Sequence, residues 1–234
     1  LAISSAASDV YKRQIEYWCW NDESAGGSMM PFDLRGSSGS ATNLCADMFS
    51  AGTWYIRLGS GNIYNTSSTW KHPRYEWVHY AFVRASGTSK MYANGTEVAS
   101  ASDTNSYQDA TLMIGRGHSG NSFTNDGRWK GYIADFRIVK GTAVYTANFE
   151  PPTSPLTAIS GTTVLTCNTP YVKGQVRAAG GSGFTVDNNK VTRMMTQPFS
   201  PYKMPERWSS DKHGGSLSRE PAVSVPGHSE FAFG

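Results

Sequence analysis

From Ile15 onward, apolar and polar positions alternate with a period of two. In "IEYWCW", Ile15, Tyr17 and Cys19 alternate with Glu16, Trp18 and Trp20. In "EWVHYAFVR", Val78, Tyr80 and Phe82 alternate with Trp77, His79, Ala81 and Val83. A period of two sends successive side chains to opposite faces of a strand, and large groups on both faces predict strands inside a two-layer stack. "SKMYANGTEVAS" predicts a hairpin, because Asn94-Gly95 supplies the two positive φ angles of a type I′ turn between short alternating runs. "TLMIGRG" and "WKGYIADFRIVKG" predict two more strands, joined by the polar loop "RGHSGNSFTNDGR". No long run has helical periodicity; the one helix-like candidate is a turn around "TAVYT", closed by Pro151-Pro152. Short strands, frequent turn signals and almost no helix predict an all-β, antiparallel β-sandwich or barrel.

The pattern does not hold before Ile15. "SSAASDVYKRQ", residues 4–14, is a small-residue run interrupted by Asp9, too polar for the apolar stretch of a secretory signal. It matches one reading frame of the transposase adapter used in preparing DNA sequencing libraries. Residues 1–14 are therefore expected to be adapter-derived and non-native, and the chain to be a fragment of a longer environmental sequence.

Composition narrows the function classes. The 234 residues suffice for one domain or two with a real core. Charged residues make up only 17% and aromatics 12%, the balance of an extracellular β protein. The net charge of +3 comes from Lys and Arg scattered singly, which argues against a nucleic-acid-binding stripe. No apolar run approaches the roughly 20 residues of a helical membrane span. Cys19, Cys45 and Cys167 lack the paired spacing of a zinc site. They read as buried thiols, with a Cys19–Cys45 bridge as the alternative.

With those strands in place, "EWVHYAFVRASGTSKMYANGTEVASA", "LMIGRG" and "WKGYIADFRIVKGTAVYTANFEPPTSPL" resemble the laminin-G-like, concanavalin A-like jelly-roll domains, in particular the tandem type of phage and marine-virus structural proteins. The resemblance covers Ile15 to about Leu156, and the tract from "GYIADFRI" through "YTANFEPP" is its most specific part. It implies a jelly-roll sandwich over 15–157 that lacks its first strands. "TTVLTC" (162–167) and "FTVDNNKVT" (184–192) look like the opening strands of another repeat. Residues 158–234 are thus expected to begin a second repeat, and to fold back to complete the first or to stay loosely ordered.

Catalytic signatures were sought on the same residues. A glucanase relative would carry a Glu-x-Asp-x-x-Glu strand that sets two carboxylates on one face; none of the eight Glu residues has those neighbours. A nucleophile elbow, a phosphate loop and a His-Glu-x-x-His helix are lacking, and "GSSGS" (36–40) reads as a loop. The expectation is a non-enzyme. Sugars offer an apolar face to aromatic rings and hydroxyls to amides and charged groups. On that ground Trp70, His72, Arg74 and Tyr75 of "STWKHPRYEW", with Asn121, Asn125 and Trp129 of "HSGNSFTNDGRW", are the candidate carbohydrate-binding residues. Against them stands a core or sheet-capping role for Trp77 and Trp129, and a plain turn role for the loop Asn residues. Calcium is the candidate cofactor, with Asp126 and Asn125 as oxygen ligands, though one carboxylate is thin for such a site. Asp135 reads as a structural hydrogen-bonding residue, and His79 as a partner of neighbouring polar groups. Asn65-Thr-Ser and Asn94-Gly-Thr are glycosylation sequons, the second inside the tight hairpin.

The resemblance implies a non-catalytic module of a phage tail fibre, appendage or cell-surface protein, exposed on a virion or outside the cell. Its expected partners are host or cell-surface glycans and other repeats of the same protein, with neither nucleic acid nor membrane. A structural spacer without a ligand is the alternative, and an accessory module of a secreted polysaccharide-degrading enzyme is a third.

Overall fold

The computed structural model describes residues 12–21, 28–35, 44–49, 52–58, 61–66, 69–105, 107, 112–117, 127–168 and 198–199. Among them are eleven strands: β1 (Arg13–Asn21), β2 (Met29–Asp33), β3 (Leu44–Phe49), β4 (Thr53–Leu58), β5 (Gly61–Asn65), β6 (Val78–Ala85), β7 (Thr88–Ala93), β8 (Thr96–Ser102), β9 (Met113–Ile114), β10 (Gly131–Lys140) and β11 (Thr162–Thr166). Six form one antiparallel sheet in the order β11-β10-β1-β6-β7-β8, and five form the other in the order β5-β4-β3-β2-β9. The all-β jelly-roll sandwich expected from the sequence is the fold observed.

Period two decides what lies between the sheets. Ile15, Tyr17 and Cys19 of β1 and Val78, Tyr80 and Phe82 of β6 join the main core. The five-stranded sheet meets them with Phe32, Ala46, Met48, Trp54 and Ile56. At the centre, the Tyr17 ring lies 5.5 Å from Phe136, 5.9 Å from Phe82 and 6.0 Å from Phe32. Such aromatic pairs add to area burial when offset or edge-on.

The alternate residues of the same strands face outward, yet they too are covered. After β10 the chain crosses the back of the six-stranded sheet as a strap, where Ala143, Tyr145 and Phe149 pack on Ala81, Val83 and Tyr92. The expected helical turn at "TAVYT" is instead irregular chain. The backbone N–H groups of Val144 and Tyr145 donate to Gln14 Oε1, at 2.9 and 3.1 Å, rather than to a helical carbonyl. Tyr145 and Phe149 stack face to face, with ring centroids 3.6 Å apart. Beneath the strap, Glu16 Oε1 accepts from Arg137 Nη2 (2.6 Å) and Nε (2.9 Å) and from Gln14 Nε2 (2.8 Å), while Tyr145 Oη donates to Glu16 Oε2 (3.0 Å). His79 Nε2 stands 3.4 Å from the same oxygen. Arg13 and Gln14 therefore belong to β1, and Gln14 is fully buried.

Both hairpins of the six-stranded sheet turn on paired positive φ angles, Ser86-Gly87 (50° and 74°) and Asn94-Gly95 (45° and 77°). The second was expected; its Gly95 has a further duty. Its carbonyl accepts the Phe149 N–H (2.9 Å), and a Cβ there would collide with the Phe149 carbonyl, so the bare backbone seats the strap. Asn94 Oδ1 accepts the His79 N–H at 2.9 Å, which ties this sequon side chain into the hairpin.

All three cysteines are free. The possible Cys19–Cys45 bridge is excluded by strand alternation: Cys19 faces the core, whereas Cys45 alternates with the core residues Leu44 and Ala46 and lies on the far side of its sheet. Of the tract assigned to a second repeat, Thr162–Thr166 forms β11, an edge strand antiparallel to β10 with Ile138 opposite Val164. "FTVDNNKVT" lies outside the described residues.

Candidate functional site

The "STWKHPRYEW" loop leaves β5 and is stitched to two strands before it enters β6. Thr66 and Trp54 exchange bonds, Trp54 N to Thr66 Oγ1 and Thr66 N to Trp54 O, both 3.0 Å. Farther on, His72 N donates to Gly52 O and Tyr75 N to Asn21 O, both 2.9 Å. This anchoring divides the candidate residues into two sets.

One set turns inward. The Tyr80 hydroxyl, fully buried, accepts from Trp70 Nε1 (3.0 Å) and lies 2.7 Å from His72 Nδ1. The His72–Tyr80 contact is one hydrogen bond whose direction follows the imidazole tautomer. Burial pushes the His72 pKa down to about 3, which keeps the ring neutral. The Trp129 ring stacks on Trp54 at 5.8 Å, and its Nε1 donates to Trp20 O at 3.2 Å. His72 and Trp129 are only 6% and 9% exposed, and Trp70 packs against the core. These three help hold the end of the sandwich together, His72 and Trp129 being buried and Trp70 half-buried. Asn121, Asn125 and Asp126, including the calcium pair, lie outside the described residues. Among the described residues no group of three metal-ligating side chains gathers.

The other set turns outward. Tyr75 is 38% exposed, and its ring centroid lies 5.8 Å from that of Trp20. Arg74 sits over the Tyr75 ring at 4.9 Å and donates from Nη2 to its hydroxyl at 2.9 Å. Behind them, Tyr132 is paired with Trp20 across β10 and β1, with ring centroids 5.1 Å apart, and its ring is 6.3 Å from Trp77. Trp20 is almost wholly buried, while Trp77 and Tyr132 are half-buried. The rim thus carries an aromatic row with a cation at one end. Sequence reasoning placed Arg74 and Tyr75 in a site but omitted Trp20 and Tyr132. The signal was available in the outward positions of β1 and β10, each one residue from the end of its strand.

Tyr75 has a further peculiarity, a φ of +63°. For a non-glycine residue this left-handed backbone costs about 1–2 kcal/mol. Asn94 and Ser86, with the same sign of φ, sit in hairpin turns that require it. Tyr75 lies in the turn at 74–75 that leads into β6, outside any hairpin, and this backbone carries an exposed ring onto the rim; Asp135 and Cys167, at 52° and 59°, share the positive φ.

A second polar cluster lies on the outer side of the five-stranded sheet. Arg35 forms a two-point bridge to Asp33 (3.0 and 2.8 Å), and Arg57 Nε bonds Asp47 Oδ2 (3.0 Å), which also accepts from Ser28 Oγ (3.1 Å). The Arg57 guanidinium covers the Tyr55 ring at 4.8 Å. Burial raises the Asp47 pKa despite the Arg57 charge beside it. Five buried carboxylates, Glu16, Asp33, Asp47, Asp103 and Asp135, are each committed to a structural donor. Asp135 illustrates the point. Its pKa rises to about 6 through burial, a value suited to a general acid, but it is 1% exposed and accepts the Leu156 N–H at 2.9 Å.

The structure is a β-sandwich with an aromatic row at one rim. The family model of the concanavalin A-like lectin/glucanases superfamily matches residues 15–144, and the chain belongs to that superfamily. Comparison with curated proteins gives no match. Among solved structures, the chain is similar to a heptameric SAP-like pentraxin from Limulus polyphemus, with 19% identity over 58% of this chain and 67% of the other at a TM-score of 0.46. It is similar to domain 4 of a GH43 extracellular arabinanase from Geobacillus stearothermophilus in complex with arabinotriose (20% identity, 57% and 63% covered, TM-score 0.42). It is also similar to the CBM40 of a Ruminococcus gnavus IT-sialidase bound to α2,3-sialyllactose (14% identity, 61% and 82% covered, TM-score 0.43).

Proposed function

We propose that the chain is a non-catalytic carbohydrate-binding module, whose ligand lies across the rim formed by Tyr75, Trp77 and Tyr132 with Arg74 as its polar end. The observation that carries this reading is the strained, exposed Tyr75. An aromatic ring held outward against the preference of its own backbone is the kind of outlier that accompanies a ligand contact. Membership of a superfamily of lectins and glucanases supports the class of ligand, and the structural commitment of the five buried carboxylates favours binding over hydrolysis. In this reading the module sits on a phage tail fibre, an appendage or a cell surface, facing host or cell-surface glycans outside the cell or on the virion. Repetition along one chain would convert weak single sites into avidity.

The test is a glycan-array screen of the full chain, followed by titration of the best ligand with Tyr75→Ala and Trp77→Ala, with and without a calcium chelator. Binding lost in both variants, with unchanged thermal unfolding, supports the rim. Loss on chelation alone moves the site to the Asn125–Asp126 loop. A folded chain that binds no glycan contradicts the reading and favours a structural spacer.

A further inference from the structure

The turn between β7 and β8 carries a chemistry that neither the sandwich nor the aromatic rim uses. Asn94-Gly95 is the only Asn-Gly pair in the sequence, and Asn94 is exposed to water. In such a pair no side chain shields the glycine nitrogen. That nitrogen can attack the asparagine Cγ, whereupon the side-chain nitrogen leaves as ammonia and a succinimide ring is formed. One water then opens the ring, at one carbonyl to give aspartate and at the other to give isoaspartate. Water is the only co-reactant.

The fold restrains both residues against ring closure. The five-membered ring nearly eclipses Cβ of the first residue with the nitrogen of the second, which asks for a ψ of about −120°, whereas a type I′ turn holds about +30°. Asn94 and Gly95 adopt that turn, with φ angles of 45° and 77°. Asn94 is fastened to β6 from both ends: its N–H donates to His79 O at 2.8 Å, and its Oδ1 accepts the His79 N–H at 2.9 Å. Gly95 is fastened to the strap, its carbonyl accepting the Phe149 N–H at 2.9 Å and its Cα lying against the Phe149 carbonyl. A further tie runs from the Glu97 N–H to Asn148 Oδ1 at 3.0 Å, so strap and hairpin are held together on both sides of the turn.

We propose that Asn94-Gly95 is a deamidation site kept closed by the strap, and that its conversion to isoaspartate unseats the strap. Isoaspartate routes the main chain through the former side chain and adds a methylene to a two-residue loop whose geometry fixes the hairpin. The Gly95 carbonyl is then displaced from the Phe149 N–H. The stacked rings of Tyr145 and Phe149 lose their seat, and the Glu16–Arg137 pair beneath them loses its cover. Plain aspartate is the milder product, because a carboxylate oxygen still accepts the His79 N–H. The site does not depend on the carbohydrate reading.

The experiment ages the full chain in mildly alkaline buffer and follows residue 94 by peptide mass spectrometry, separating isoaspartate from aspartate by electron-transfer fragmentation. The same chain in guanidinium chloride is the unrestrained reference. Because reaction requires local opening, the folded chain should deamidate at residue 94 at least about tenfold more slowly than the reference. Phe149→Ala and, as the gentler change, Asn148→Ala should each speed the folded-state reaction roughly threefold or more, with hydrogen-exchange protection of β1 and β6 retained. The purified isoaspartate form should show faster exchange over 141–157 than the fresh chain. Equal rates in the folded and unfolded chain, rates unchanged in both variants, or an isoaspartate form whose strap exchanges as before would overturn the proposal.

Discussion

The two faces of the six-stranded sheet are built from alternate residues of the same strands, yet they are held by different forces. Inward, Tyr17, Tyr80, Phe82 and Phe136 meet the second sheet through apolar and aromatic contact. Outward, Gln14, Glu16, His79 and Arg137 lie under the strap, joined by hydrogen bonds and one ion pair. Apolar packing is non-directional, so the core can seat many side chains of suitable volume. A buried ion pair works only with its partner present. The difference teaches that the strap is fixed by chemistry specific to its residues, while the sandwich needs little more than the right periodicity.

That contrast can be broken most severely at the ion pair. Glu16→Gln removes the counter-charge of Arg137, which is 5% exposed, and should cost about 3–5 kcal/mol in urea unfolding. Phe136→Ala on the inner face should cost a similar ~3–5 kcal/mol through the cavity it leaves. The faces differ in rescue. Combining Glu16→Leu with Arg137→Leu should recover part of the loss, because no buried charge is then left alone while Gln14 and Tyr145 still lose their acceptor. No second substitution of that kind is available for Phe136.

A smaller effect is expected at the strap's anchor. Gly95→Ala meets both a φ of +77° and the Phe149 backbone, so it should cost more than about 1 kcal/mol and expose Phe149 and Tyr145. Tyrosine fluorescence and hydrogen exchange over 141–157 would register the release, with β1 to β6 protection unchanged.

pH sharpens the comparison further. His72, depressed to about 3 by burial, takes up its proton in the unfolded chain near 6.5 and not in the fold. Its contribution is therefore present above pH 6.5 and is lost as pH falls toward 3. Asp135, raised to about 6 from 3.8 by burial, works in the opposite sense. The fold holds that proton more tightly, so stability grows as pH falls from about 6 to 3.8. In the native chain the two offset each other between pH 6 and 4.5. In His72→Gln the Asp135 effect, with the raised Asp47 acting in the same sense, is no longer offset, and stability in urea unfolding should rise on acidification over that range by about 1–2 kcal/mol.

How much of this was legible in the sequence follows from the same distinction. Alternation in "IEYWCW" and "EWVHYAFVR" assigned Ile15, Tyr17, Cys19, Val78, Tyr80 and Phe82 to one face, and Asn94-Gly95 announced its own turn. Those signals are local. The loop "STWKHPRYEW" has no period, and which of its aromatics turn inward is decided by Tyr80, Gly52 and Asn21, residues that only the fold brings near. Trp129 carried two readings in the sequence, a sugar contact and a core or sheet-capping role, and its stacking partner Trp54 is supplied by the other sheet. The "TAVYT" segment read as a turn of helix because nothing local reveals that Gln14 will capture its N–H groups.

The smallest expected stability change bears on the central claim, that Tyr75 is held outward for a ligand. Tyr75→Gly removes the cost of a positive φ while deleting the exposed ring. Urea unfolding and glycan titration on the same sample provide the measurement. The account predicts unchanged or higher stability, by up to about 1 kcal/mol, together with loss of glycan binding. Lower stability with glycan binding retained would show Tyr75 to be a packing residue and would contradict the account.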